Sequence, residues 1–158
     1  MSDISNKISI ATTSLYSPDS KSNKSRAKIA LETVKMAIEH GYEINIVDGG
    51  SSEEIVREYI NHGANVFRQI GKTMGEARRQ AIVESMARSR EIIVSMEAEK
   101  CGLIPYLNML ANPLVKNEAD MIIPARESML SYPKAQQLAE PLGNLVWRTL
   151  TGREFDIS

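Results

Sequence analysis

Cysteine is nearly absent from this chain. The single Cys101 cannot form an internal disulfide, which fits a reducing cytosol or a protein that needs no cross-link. With one cysteine and two histidines, His40 and His62, each beside an expected helix end, there is no cage for zinc. An excess of charge of one sign is missing too. Nineteen Lys and Arg stand against twenty Asp and Glu, so no basic surplus points to a nucleic-acid partner. No apolar run approaches a membrane span, and the polar N-terminus lacks a signal-peptide core. These absences lead to the expectation of a cytoplasmic chain with no membrane span. There is no internal repeat and no low-complexity tract. The turn after the first expected strand has no glycine, which excludes a dinucleotide fingerprint. Gly71-Lys72-Thr73 has the ending of a P-loop, but Val66 stands where the earlier glycine is required.

What is present is 158 residues, 42% apolar and 25% charged, expected to form a single domain over 1–158 with a substantial core. The central stretch runs from Ile44 to Ser52. Four mostly apolar residues end on Asp48, two glycines and two serines follow, and Glu53 to Ile60 has helical spacing. That is the pattern of a buried strand, a tight turn and a helix start. Ser51 is expected as the N-cap, with Glu54 completing a capping box. A carboxylate at the carboxyl end of a parallel strand lies where α/β sheets take ligands. Asp48 is therefore a candidate site residue; a simple cap of the turn is the alternative, because Asp fills that role well.

The rest of the chain follows the same rhythm. Lys7 to Thr13 is expected as the first strand and Ser14 to Ser25 as a polar loop. Arg26 to His40 is an amphipathic helix ended by Gly41, and Gly63 ends the helix after Asp48. Asn65 to Gln69 is a third strand. Glu76 to Ser89 is a helix with Ala77, Ala81, Ile82, Ser85 and Met86 inward. Ile92 to Met96 is a fourth strand running into Glu97-Ala98-Glu99, and Leu103 to Leu110 a short helix. Met121 to Pro124 is a fifth strand and Pro133 to Leu150 a last helix, interrupted at Pro141. This alternation predicts an α/β fold, a mostly parallel sheet with helices on both faces. Its ligand belongs at the carboxyl ends of the strands, where Thr12-Thr13, Asp48, Gln69 and Glu97-Ala98-Glu99 fall.

Two motifs carry chemistry. Glu97 and Glu99 are two apart, so in an extended segment both point the same way and can face one cation. Oxygen ligands of this kind suit Mg²⁺ or Mn²⁺ holding a diphosphate; a solvated acidic turn is the bland alternative. In Gly75-Glu76-Ala77-Arg78-Arg79 two arginines open a helix against its dipole. A phosphate or a planar base would justify them; two surface arginines, one paired with Glu76, would not need a ligand.

In order and spacing, these pieces resemble the GT-A inverting glycosyltransferases of the large family 2 class. Thr12-Thr13 ends the first strand. Val47-Asp48-Gly49-Gly50-Ser51-Ser52 is similar to the family's strand–Asp–Gly/Asn–Ser–Ser turn, and Gly75-x-Ala77-Arg78 to its Gly-x-x-x-Arg segment. Glu97-Ala98-Glu99 stands where the family has Asp-x-Asp, and Ala119 to Arg126 resembles the next strand and its arginine. Glu97 to Lys100 and Ser131-Tyr132-Pro133 resemble a subset with a Glu-Pro-Glu-Lys-like segment and a Ser-Tyr-Pro loop.

The resemblance implies a GT-A type fold and a glycosyltransferase moving a sugar from a nucleoside-diphosphate donor to an acceptor hydroxyl. It implies that Thr12 and Asp48 hold the base and ribose, that Arg78 contacts the base or diphosphate, and that Thr13 and Gly75 belong to the same substrate site. Glu97 would face the ribose or sugar, Glu99 would bind the Mg²⁺ or Mn²⁺, and Arg126 would reach the donor or acceptor. A general base would assist the acceptor while the metal stabilises the leaving diphosphate; Glu127 and Asp156 are the candidates for that base. Glu, one methylene longer, replaces Asp at both carboxylate positions. The acceptor-binding half that family members carry beyond this point is expected to be missing. A non-catalytic or truncated nucleotide-sugar-binding module is therefore the alternative. A nucleotidyltransferase is a third reading, without that class's Gly-rich first loop. The donor sugar, its base and the acceptor are not legible, and a homo-oligomer is left open.

Overall fold

The computed structural model describes residues 4–16, 21–88 and 90–124. The chain divides into two compact units, Met1–Asp120 and Met121–Ser158. Of the second unit only Met121–Pro124 is described, and it forms no strand. Met121 and Ile123 are 73% and 70% exposed, so the expected fifth strand is corrected: a short apolar run makes a strand only where a ladder partner receives it. The expected last helix, the Ser131-Tyr132-Pro133 loop, Arg126, Glu127 and Asp156 lie outside the described residues.

The first unit is built on four parallel strands. β1 (Ile8–Ser14), β2 (Glu43–Asp48), β3 (Asn65–Arg68) and β4 (Ile92–Ser95) lie in the order β3-β2-β1-β4. Ile10 pairs with Ile44 on one side and with Val94 on the other. The chain therefore steps outward from β1 to β3 and then returns to the far side of β1. The reversal falls between β1 and β4, where the crossovers leave in opposite directions and a crevice opens at the strand ends.

Strand alternation divides the core in two. Ile8, Ile10, Ile44 and Ile46 face α1 (Lys21–Glu39), α2 (Glu53–Asn61), a 3₁₀ segment (Cys101–Tyr106) and α4 (Leu107–Val115) through Ala30, Val34, Ala37, Tyr59, Ile104 and Leu107. Ala11 and Val47 face the opposite way, onto Ala77 and Ala81 of α3 (Met74–Met86). Helices thus cover both faces, as the sequence pattern predicts. Small alanines let α3 approach the sheet closely. Beside them Asn45, fully buried, donates to Ser9 Oγ at 2.7 Å and lies 3.1 Å from Ser85 Oγ.

Gly41 and Gly63 end the first two helices at positive φ, 76° and 93°. In each, the next residue's N–H reaches back to a carbonyl of the last turn, Tyr42 to Ala37 and Ala64 to Tyr59. Other expectations need correction. α1 begins at Lys21 rather than Arg26, and Ser14 belongs to β1, so the expected Ser14–Ser25 loop is shorter at both ends. Tyr16, read as part of that loop, is 1% exposed. Met86, expected inward, is 62% exposed at the end of α3. Ser52, not Ser51, is the N-cap of α2, and it makes no side-chain cap bond. Ser51 Oγ instead accepts from the Tyr16 N–H at 2.9 Å, so the box with Glu54 does not form.

Candidate functional site

Two cavities open at the carboxyl ends of β1 and β4, sharing Thr13, Arg78, Met96 and Glu97. The smaller, about 240 Å³, reaches Thr12, Ala81 and Ser95. The larger, about 520 Å³, extends past Tyr16 and Gln69 to Arg26, Lys72, Glu99 and Lys100. A volume of that size lies in the range of small-molecule sites, roughly 300–1,000 Å³.

Thr12, in register with Ile46, turns its side chain to the α1 and α2 face, away from Arg78 and Ala81. It is 3% exposed, and its Oγ1 has no hydrogen-bond partner among the described residues. Leaving a buried hydroxyl unpaired costs about 1–3 kcal/mol. Thr13 is half-buried, with its Oγ1 3.5 Å from Met74 Sδ.

Charge in the cleft is mostly positive. Arg26, Lys72, Arg78 and Lys100 line the larger cavity against two carboxylates, Glu97 and Glu99. Glu97 lies between two cations, 4.0 Å from Arg78 Nη2 and 3.8 Å from Lys100 Nζ. Glu99 is held more tightly. Its Oε1 accepts from Arg26 Nε at 2.7 Å and lies 2.6 Å from Arg26 Nη2. The Arg26 guanidinium also rests over the Tyr16 ring, 5.5 Å from its centroid. Burial, and then a hydrogen bond to Glu99, hold the Tyr16 phenol well above its ordinary range.

The backbone explains why the two carboxylates separate. Alternation would point both the same way only in an extended segment, but Glu97 to Lys100 is a turn in which the Lys100 N–H bonds to the Glu97 carbonyl at 3.2 Å. The expectation of two carboxylates aligned by strand alternation on one cation is thereby corrected: each meets its own basic partners. Among the described residues no group of three or more His, Cys, Asp or Glu could hold a metal ion.

Asp48 sits at the end of β2, 8% exposed, and is absent from the walls of both cavities. Its Oδ1 accepts from Ser14 Oγ at 2.7 Å, and its Oδ2 from the Gly50 and Ser51 N–H groups at 2.9 Å. The first bond ties the end of β2 to the end of β1, and the other two close the β2–α2 turn.

Arg78 lines both cavities, whereas Arg79 lines neither. The helix that carries them starts at Met74, with Thr73 as its N-cap. Both arginines therefore lie beyond the first turn, where the dipole conflict is weaker than the sequence suggests. Thr73 and Glu76 form a capping box: Thr73 Oγ1 accepts from the Glu76 N–H at 3.2 Å, and Glu76 Oε2 accepts from the Thr73 N–H at 2.9 Å. Hydrogen bonds from the Thr73 N–H and hydroxyl, with another from the Lys72 N–H, hold the Glu76 carboxyl below its ordinary value. Gly75 lies in the first turn, and a Cβ there would meet nothing within 4 Å.

Sequence reasoning missed Arg26, Tyr16, Lys72 and Lys100 as members of the cleft. For Arg26 a signal existed: it precedes Ala30 and Val34 at intervals of four, so it continues the stripe of α1 that faces the sheet.

No family model matches the chain, and no curated protein matches it. Among solved structures it is similar to glucosyl-3-phosphoglycerate synthase from Mycobacterium tuberculosis, whose crystal structure is a complex with Mn²⁺, UDP and phosphoglyceric acid. The TM-score is 0.46 at 20% identity. The match covers 68% of this chain and 38% of that one, so this chain spans well under half of that protein's length. A likeness at this level concerns the arrangement of the backbone and says nothing of ligands. Among the described residues no helix is long and apolar enough to cross a membrane.

Proposed function

We propose that this chain is a GT-A type nucleotide-sugar-binding domain that acts as a glycosyltransferase, with the donor diphosphate in the cleft between the ends of β1 and β4. The observation that carries this reading is the cavity of about 520 Å³ at the ends of β1 and β4, lined by four basic side chains against two carboxylates. A donor diphosphate gives this basic cleft its anion. The resemblance in the order Thr12, Asp48, Arg78, Glu97 supports the same reading.

The roles follow from position. Arg78, Lys72 and Lys100 face the diphosphate, with Arg78 able to make forked contacts. Thr13, on the walls of both cavities, receives the nucleoside end and Glu97 the ribose or sugar. Gly75, open above α3, leaves room for the ligand. Asp48 fixes the β2–α2 turn rather than reaching the ligand directly. In the reaction an acceptor hydroxyl attacks the anomeric carbon as the bond to the diphosphate breaks. The leaving group takes the bonding electrons, and a base takes the hydroxyl proton. Arg126, for the donor or acceptor side, and Glu127 and Asp156, the candidates for the base by their place in the sequence, lie outside the described residues.

A binding module without catalysis is the second reading. It is favoured by one observation: both cleft carboxylates, Glu97 and Glu99, are already engaged by basic side chains, which leaves neither free as a base. Incubation with a panel of nucleotide sugars separates the two. A transferase releases nucleoside diphosphate slowly to water, whereas a pure binder is stabilised by the donor and releases none.

A further inference from the structure

Resting on the nucleotide reading of the same cleft, we propose that the diphosphate is neutralised by the chain's own basic side chains rather than by a divalent cation, with Arg26 as the residue that replaces the metal. The resemblance implies Mg²⁺ or Mn²⁺ on Glu99, and the residues present do not fit one. A metal ligand needs open lone pairs aimed at the ion. Glu99 Oε1 already receives two nitrogens of Arg26, at 2.6 and 2.7 Å. Glu97 and Glu99 face different partners because the segment between them is a turn.

The charge balance points the same way. Four basic side chains against two carboxylates leave the larger cavity net positive before any ion enters. A dication would meet repulsion there, whereas a diphosphate meets complementary charge. Arg26 is suited to the part. Its guanidinium is planar, stays charged and is oriented by the Tyr16 ring and by Glu99. With 55% of its side chain exposed, it retains donors to offer an anion. Glu99 is then a positioning residue for Arg26. Its extra methylene, relative to the Asp of the family's motif, lets it reach α1.

Titration calorimetry on the full chain tests this, with uridine, guanosine and adenosine diphosphates as probes, each in EDTA and in excess Mn²⁺. At least one is expected to bind in EDTA, with its dissociation constant changed less than about tenfold by Mn²⁺. In Arg26→Gln the EDTA affinity is expected to fall about tenfold or more, the loss of one charge-assisted contact. Mn²⁺ is expected to recover part of that loss, since Glu99 is then released. Binding by the wild type only with Mn²⁺ overturns the metal-free cleft and leaves the nucleotide reading standing. Arg26→Gln binding like wild type in EDTA overturns the role of Arg26. Absence of binding by all three probes under both conditions overturns both.

Discussion

Arg26 and Glu99 are 73 residues apart in sequence, yet Arg26 Nε donates to Glu99 Oε1 at 2.7 Å and Arg26 Nη2 lies 2.6 Å from the same oxygen. The contact joins the first helix to the turn after β4 across the mouth of the crevice. It decides how the cleft is charged, because it neutralises one of the two carboxylates and leaves the four basic side chains in excess.

Arg78 and Arg79 are adjacent on α3, but only Arg78 lines the cavities. Arg78→Ala is expected to weaken nucleoside diphosphate binding by about 1.5–3 kcal/mol, the value of a charge-assisted hydrogen bond. Arg79→Ala is expected to change it by less than about 0.5 kcal/mol. Equal effects in fluorescence or calorimetric titrations would return Arg78 to the surface.

Asp48 binds its own turn with three hydrogen bonds. Asp48→Ala leaves two backbone N–H groups without an acceptor and is expected to cost about 1–3 kcal/mol of stability in urea denaturation. Asp48→Asn is expected to cost less, because its carbonyl can still accept from the turn while its amide donates to Ser14 Oγ. If Asp48→Ala keeps full stability and loses nucleotide affinity, the carboxylate serves the ligand instead.

Tyr59 is fully buried on α2, and its hydroxyl has no partner among the described residues. Tyr59→Phe is therefore expected to leave stability unchanged or raise it by about 1 kcal/mol. Burial first, then the Asp48 and Glu99 carboxylates, hold this phenol above its ordinary value of 10.0. The unfolded chain thus ionises first. The stability linked to Tyr59 is complete below pH 10.0 and is lost as pH rises above it. Tyr59→Phe is expected to flatten that alkaline decline. A decline as steep as that of wild type in thermal melts above this pH would contradict the assignment.

The capping box of α3 carries the opposite dependence. Hydrogen bonds from the Thr73 N–H and hydroxyl hold Glu76 below its ordinary value of 4.5, so its contribution is present above pH 4.5 and fades as pH falls through the folded value. The stability gap between wild type and Glu76→Gln should narrow below pH 4.5. A gap that stays constant through acid in urea denaturation would show that the charge adds nothing.

The sheet was legible because its strands announce themselves twice, by β-branched runs such as Ile44 to Val47 and by the turn residues that close them. The parallel order followed from the helices between them. Places on the cleft wall were legible only where backbone position alone sets them, as with Thr13 near the end of β1 and Arg78 on α3. Two places resisted. Ser51-x-x-Glu54 and Thr73-x-x-Glu76 carry the same local pattern, yet only the second forms a box. The first loses to a tertiary partner, the Tyr16 N–H, which takes the Ser51 hydroxyl. Glu97 and Glu99 were expected to align because an extended backbone was assumed, and the turn that the Glu97 carbonyl forms with Lys100 undoes the alternation. Arg26 went unseen as a site residue because the start of α1 was placed too late, which left it as a helix end.

The central claim is that the cleft between β1 and β4 binds a nucleoside diphosphate through its excess of basic side chains, of which Arg78 lines both cavities. Arg78→Gln tests it most directly, since it removes that charge and keeps a polar side chain of similar length. Saturable binding of a nucleoside diphosphate to the wild type is expected, weakened about tenfold or more in Arg78→Gln, while the variant's thermal stability stays that of the wild type. Wild-type affinity in Arg78→Gln, or no saturable binding to the folded wild-type chain, would contradict it.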